Sequence, residues 1–248
     1  MRQWLREKTN LLLVTVRDPI DRIRSAFNYH HNQFFERQTI IRDVDESHYG
    51  MTIFVDCFRE VEDLARAVVN EENTPQHCHH IALASLEGRA KRTPLTHFKY
   101  NYKYYLNKVQ SDQVKAISVI RVENQWEDLA TLESLLDGES ARFLEPEKQV
   151  KFTHGSESFQ LQSGLSTQGV KILCCVVHED IQVYHDLITS AVNLKGSEKV
   201  ETLRALLVHC SVNQTLSSEQ IWDWRWKTWY DESCSEVNNR RHEESVDS

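Results

Sequence analysis

The chain has 248 residues, with 37 Asp and Glu against 29 Lys and Arg, and its formal charge of −8 argues against a general nucleic-acid binder. It is long enough to bury a sizeable core, and no apolar run reaches the roughly 18 residues of a membrane span. Only 7 Gly and 4 Pro occur, with no linker-like stretch and no internal repeat, which favours a helix-rich single unit over a chain of tight hairpins.

The first predicted element is a strand at Leu11 to Val16, a short continuous apolar run of the kind buried on both faces of a sheet. It feeds directly into a helix. Asp18 suits the N-cap and Pro19 the first helical position, so a helix is expected from Pro19 to Phe35. Further helices are expected at Thr52 to Val69, Gln76 to Glu87, Leu95 to Lys108 and Asn124 to Leu136, the last closing at Gly138. A second strand reads at Ala116 to Arg121, and the helical stretch between the two strands is the crossover that parallel pairing requires. The stretch from Glu139 to Leu165 reads as irregular. Ser166 then caps a long helix to Val192, Ser197 caps another to His209, and Ser217 with Gln220 forms a capping box before Trp222. Asp231 to Ser248 is polar and almost free of apolar residues, so a disordered tail is expected beyond a domain of residues 1–230.

Arginines gather at the first strand-helix junction. Arg17, Arg22 and Arg24 sit where a helix N-terminus already carries partial positive charge, an arrangement that an anion would stabilise. Phosphate is the commonest such anion. Residues 1–42 hold eight Arg or Lys against four Asp or Glu, and a second basic stretch runs from Arg89 to Lys108; both face an anionic ligand or are solvated helix faces.

The pattern R-D-P-x-x-R-x-x-S-A, here Arg17, Asp18, Pro19, Arg22, Ser25 and Ala26, resembles the 3′-phosphate-binding motif of PAPS-dependent sulfotransferases, most closely the Golgi carbohydrate sulfotransferases. The resemblance implies that Arg17 and Ser25 grip the 3′-phosphate of 3′-phosphoadenosine 5′-phosphosulfate (PAPS). It implies a P-loop sulfotransferase-like α/β fold, a small parallel sheet under helical cover, and transfer of a sulfonate to an acceptor hydroxyl, on a glycan, in the Golgi lumen. Other segments follow the same order of elements, including the H-x-x-x-N-Y-x-Y-Y stretch at His97 to Tyr105, but only Arg17 to Ala26 is a specific motif.

The family's 5′-phosphosulfate loop lies upstream of this motif, and MRQWLREKTN contains neither its strand nor a Gly-rich turn. The expectation is therefore an α/β domain incomplete at its N-terminus, with its missing strands upstream and little transfer by these residues alone. Lys195-Gly196-Ser197 reads as a helix connection and not as that loop. No catalytic base can be assigned; His97 is the best candidate, with structural and acceptor-site roles equally open for it and its neighbouring tyrosines. The alternative function is a catalytically inactive helical binding or scaffolding protein. A kinase-like nucleotide binder is a third reading, equally short of a P-loop.

Six cysteines permit 15 full pairings and identify none, and the adjacent Cys174 and Cys175 in an apolar helix read as buried free thiols. No metal is expected: His77-Cys78-His79-His80 lacks a second ligand pair at zinc spacing. The sequon at Asn213 is compatible with a lumenal protein. Trp222, Trp226 and Trp229, spaced i, i+4, i+7, are expected to dock one helical face on the core, in preference to forming a carbohydrate platform.

Overall fold

The computed structural model describes residues 11–36, 52–71, 74–87, 96–99, 101–106, 114–138, 164–210 and 216–242. The Asn213 sequon, the irregular stretch 139–163 and Tyr100 lie outside the described residues. Among those described, a two-stranded parallel sheet is surrounded by helices, so the α/β, helix-rich class holds at that level.

Strand β1 is Leu11–Val16 and β2 is Ala116–Arg121, paired in parallel with Leu11 opposite Ala116 and Val16 opposite Arg121. Between them lie helix α1 (Pro19–Glu36), a wide π-type turn (Thr52–Cys57), α2 (Val61–Val68), α3 (Gln76–Leu86) and the short α4 (Thr96–Lys99) and α5 (Tyr102–Leu106). After β2 come α6 (Gln125–Leu135), α7 (Thr167–Val176), α8 (His178–Ser190), α9 (Gly196–His209), α10 (Ser218–Trp222), α11 (Trp226–Ser233) and α12 (Ser235–His242). No helix of the described residues is long and apolar enough to cross a membrane.

The sheet departs from the expected burial. β1 is not covered on both faces: Leu13 is 52% exposed and Thr15 is also exposed, whereas β2 is buried from Ser118 to Arg121. Among the described residues β1 pairs only with β2. The far side of β2 is occupied differently. Ala191 forms an isolated parallel bridge to Ile117, and the Asn193 side chain accepts from Val119 N at 2.8 Å and donates to Val119 O at 2.7 Å. A side-chain amide thus takes the hydrogen bonds a third strand would have made.

The junction forms as the residues dictate. Asp18 Oδ1 accepts from the backbone N–H groups of Ile20 (2.8 Å) and Asp21 (3.2 Å), and Pro19 opens α1. Ile20, Ile23 and Phe27 then bury one face of α1 in the core.

Several expected helices are broken by local hydrogen bonding. Thr52 to Val69 divides because Asp63 accepts from the backbone of Arg59 and Glu60 and starts α2 afresh. Leu95 to Lys108 divides where Asn101 Oδ1 accepts from Tyr104 N at 2.7 Å, capping α5. Ser166 caps α7 through Gly169 N, but the helix ends at Val176 with Val177 as its C-cap, where His178 Nδ1 lies 3.3 Å from the Cys175 carbonyl that a continuing helix would need. Helix α9 begins at Gly196 with Lys195 as its N-cap residue, so Ser197 lies inside the helix and does not cap it. The capping box of Ser217 and Gln220 is present.

The cysteines correct the expectation of free thiols. All six are paired, as Cys57–Cys78, Cys174–Cys210 and Cys175–Cys234. The last of these also explains the C-terminal region. Residues 231–242, expected as a disordered tail, continue α11 and form α12, held by buried Cys234 and Val237.

The tryptophan face is rearranged as well. The chain leaves the helix between Trp222 and Trp226, so Trp224, Trp226 and Trp229 form the edge-to-face cluster and Trp222 stays 37% exposed beneath Lys199. Only Trp226 of the four is fully buried.

Candidate functional site

The carboxyl ends of the two parallel strands open onto one cleft of about 430 Å³. Arg17 and Asp18 follow β1, Arg121 to Asn124 end and follow β2, and α9 supplies Glu201, Thr202 and His209. This is the side of an α/β sheet on which ligands bind, because strand ends and helix starts meet there.

Buried hydrogen bonds hold Arg17 at the cleft. Its backbone N–H donates to Tyr102 Oη at 2.6 Å, and the Tyr102 hydroxyl in turn donates to the Arg17 carbonyl. Burial raises the Tyr102 pKa well above the usual phenol range, so the hydroxyl keeps the proton it donates. Asp180 accepts from Tyr102 N at 2.6 Å and pairs with Arg22 at 2.9 Å, with Asp180 only 3% exposed. The Arg22 guanidinium also lies over the Tyr102 ring, 5.8 Å from its centroid.

The arginine cluster is therefore not three free cations awaiting a phosphate. Arg22 is ion-paired through Nη2 with Asp180 and Arg24 through Nη1 with Asp21 at 3.2 Å, while the Arg22 Nε is buried without a hydrogen-bond partner among the described residues. Arg17 alone of the three has a guanidinium without an ion pair among the described residues. Ser25 is half-buried two turns along α1 and is not one of the residues lining the cleft.

Electrostatics of the cleft run against expectation. Arg121 is neutralised by Asp128, which accepts from its Nε at 2.9 Å, its Nη2 at 2.6 Å and its backbone N–H at 2.7 Å, while Nη1 donates to Thr202. Asp18, Asp21, Glu123 and Glu201 all line the space that Arg17 faces. Burial, reinforced by Asp18, pushes the Glu123 carboxyl above its ordinary value. The Asp18 carboxylate, 3.2 Å from Nδ1, pulls the His209 pKa up.

His97 lies elsewhere. It packs beside α1 near His30, about 16 Å along the helix from Pro19 at 1.5 Å per residue. His30 Nε2 accepts from His97 Nδ1 at 2.9 Å and from His97 N at 3.3 Å, which assigns the His97 proton to Nδ1 and leaves its Nε2 lone pair free to act as a base. Burial, then the neighbouring His97, lowers the His30 pKa to about 4. Because the folded value lies below the ordinary 6.5, the unfolded chain binds more protons between those values, and stability falls as pH drops from 6.5 toward 4. We expect a loss of roughly 2–3 kcal/mol over that window, after allowance for partial solvent access. Urea denaturation at both ends of the window should show most of this dependence missing from His30→Gln.

The four-residue stretch His77 to His80 is structural. Cys78 is tied to Cys57, and the His79 imidazole bonds the Ala67 carbonyl at 2.7 Å in the core. Sequence reasoning singled out Arg17, but it missed Asp180, Glu123, Tyr184 and His209. Each lies far from the motif in sequence and carries no local pattern that would mark it. No family model, curated protein or solved structure matches this chain.

Proposed function

We propose that the chain is a PAPS-dependent sulfotransferase-like protein in which Arg17 holds the 3′-phosphate of the nucleotide and a sulfonate passes to an acceptor hydroxyl, on a carbohydrate; the part the motif gives Ser25 has no support from the cleft, which Ser25 does not line. One observation carries this reading. The motif's strand-end arginine lines a cleft at the carboxyl edge of a parallel strand pair, and its guanidinium has no ion pair among the described residues. An Arg fork is well shaped for a tetrahedral oxyanion. Sulfonate transfer would then depend on positioning and on stabilising charge at the oxygens, with a base to take the acceptor proton.

Three disulfides support residence in an oxidising compartment, in keeping with a Golgi-lumenal or secreted protein. The His30–His97 pair supplies an exposed, correctly protonated base, but beside α1 and outside the Arg17 cleft, so the role of His97 is left unassigned.

A second reading, an inactive helical binding or scaffolding protein, is favoured by the four carboxylates that share the cleft with Arg17. Calorimetry separates the two. Adenosine 3′,5′-bisphosphate should bind on the order of 10-fold tighter than adenosine 5′-monophosphate, the worth of one charge-assisted hydrogen bond, and Arg17→Ala should erase the difference. Equal affinity for the two nucleotides would leave the scaffold reading in place.

A further inference from the structure

We propose that the Cys57–Cys78 bridge is a thiol–disulfide exchange site, at which a small peptide thiol attacks Cys57 and displaces Cys78. The bridge that fixes the His77 to His80 stretch joins the end of the π-type turn to the third residue of α3, 21 positions on. It differs from the other two bridges in exposure. Cys174, Cys175, Cys210 and Cys234 are each no more than 1% exposed, which shields both of their bridges from an incoming nucleophile, whereas Cys57 is only half-buried. Exchange requires access to one sulfur of the pair, so exposure on the Cys57 side directs attack there.

Two features make Cys78 the leaving group. Its Sγ lies 3.4 Å from Nε2 of exposed His77, and an imidazole that holds its ring proton on that nitrogen donates to the sulfur as it leaves. Cys78 also sits in the first turn of the 11-residue α3, whose N-cap residue Pro75 supplies no side-chain acceptor, so it lies at the positive end of the helix dipole. An adjacent imidazole and a helix N-terminus both favour thiolate over thiol. Burial works the other way, because Cys78 is 1% exposed and desolvation penalises a thiolate. The hydrogen bond from His77 offsets that penalty, since it reaches the sulfur where water does not.

The step passes electrons from sulfur to sulfur. The incoming thiolate forms a bond to Cys57 Sγ as the Cys57–Cys78 bond breaks, and the electron pair of the broken bond leaves on Cys78 Sγ. The incoming sulfur is oxidised into a mixed disulfide with Cys57, and Cys78 is reduced. The proton released by the incoming thiol is balanced by the one Cys78 takes up after it has left. No further oxidant is needed, and return of Cys78 to Cys57 reverses the step.

Opening the bridge bears on α1. The π-type turn that ends at Cys57 buries Ile53 and Phe54 in the core, where the Phe54 ring meets Phe27 at 5.7 Å and His31 at 5.6 Å, both edge to face. Exchange at Cys57 removes the disulfide that ties this turn to α3, and with it a restraint on the packing behind the helix that follows Arg17. The exchange site uses neither the cleft nor a nucleotide, so it stands or falls apart from the sulfotransferase reading.

The test is timed exposure of the full, folded chain to millimolar glutathione, followed by excess N-ethylmaleimide and peptide mass spectrometry. Cys57–Cys78 should open at least about 10-fold faster than either other bridge, with glutathione on Cys57 and maleimide on Cys78. His77→Ala should slow the opening about 5-fold, the worth of one hydrogen bond, and His77→Gln, which keeps a donor, should recover most of the rate. His80→Ala should leave the rate unchanged, and far-ultraviolet circular dichroism should show each variant folded. Equal opening of the three bridges in the wild type, or glutathione chiefly on Cys78, overturns the proposal. So does a wild-type rate in folded His77→Ala, or an equal slowing in His80→Ala.

Discussion

Asp128→Ala should lower the stability of the folded chain by about 3–5 kcal/mol, the usual cost of stripping one partner from a buried ion pair. Arg121 and Asp128 have side chains only 5% and 2% exposed, and three of Asp128's bonds go to Arg121 alone. Removing the carboxylate leaves a buried guanidinium with Thr202 as its one remaining side-chain partner among the described residues. It also frees the end of β2, whose last backbone N–H loses its acceptor. Asp128→Asn keeps part of the hydrogen bonding and should lose less. Chemical denaturation of both variants gives the comparison, and a loss below about 1 kcal/mol in Asp128→Ala would mean that water reaches Arg121 and the pair behaves like a surface one.

Removing the Cys175–Cys234 disulfide by the paired Cys175→Ala and Cys234→Ala change should cost roughly 4 kcal/mol, from the loop-closure entropy regained by the unfolded chain. The bridge spans 59 residues, a longer loop than the 36 of Cys174–Cys210, so it should matter slightly more. The loss should concentrate at the C-terminal end. α12 is highly polar and buries Val237, so without the bridge it has little to hold it against the core. Denaturation under non-reducing conditions measures the total, and limited proteolysis after Tyr230 should become fast only in the paired variant.

Both strands, the cap at Asp18 and the span of α3 and α6 were legible because each depends on residues within one turn or one run. The breaks at Arg59, Asn101 and Val177 were not, because a single side chain diverts a backbone hydrogen bond while hydrophobic spacing continues unbroken across it. Burial on both faces of β1 was overestimated for a related reason. An apolar run reports that a strand wants cover, whereas Leu13 shows that cover depends on what the rest of the chain brings to it. At the cleft, Arg17 announced itself through a motif. The groups that set its electrostatics arrive from β2, α8 and α9, and the pairings that quench Arg22 and Arg121 join residues 158 and 7 positions apart. The disulfides were invisible for the same reason: six cysteines fix a number of pairings and no geometry.

The neighbouring cysteines of α7 give the second half of the chain a property of connectivity. Both bridges start on that helix, one reaching Cys210 and the other Cys234. A peptide bond cut anywhere from Val177 to His209 is spanned by two covalent tethers, and one cut from Ser211 to Ser233 by one. Fragments from either nick stay attached until a reductant is added. An interruption of the backbone in this region, by a processing protease or by accident, would therefore leave a molecule of unchanged mass apart from the added water. The helices that supply the far wall of the cleft could not diffuse away from the strands that supply the near one.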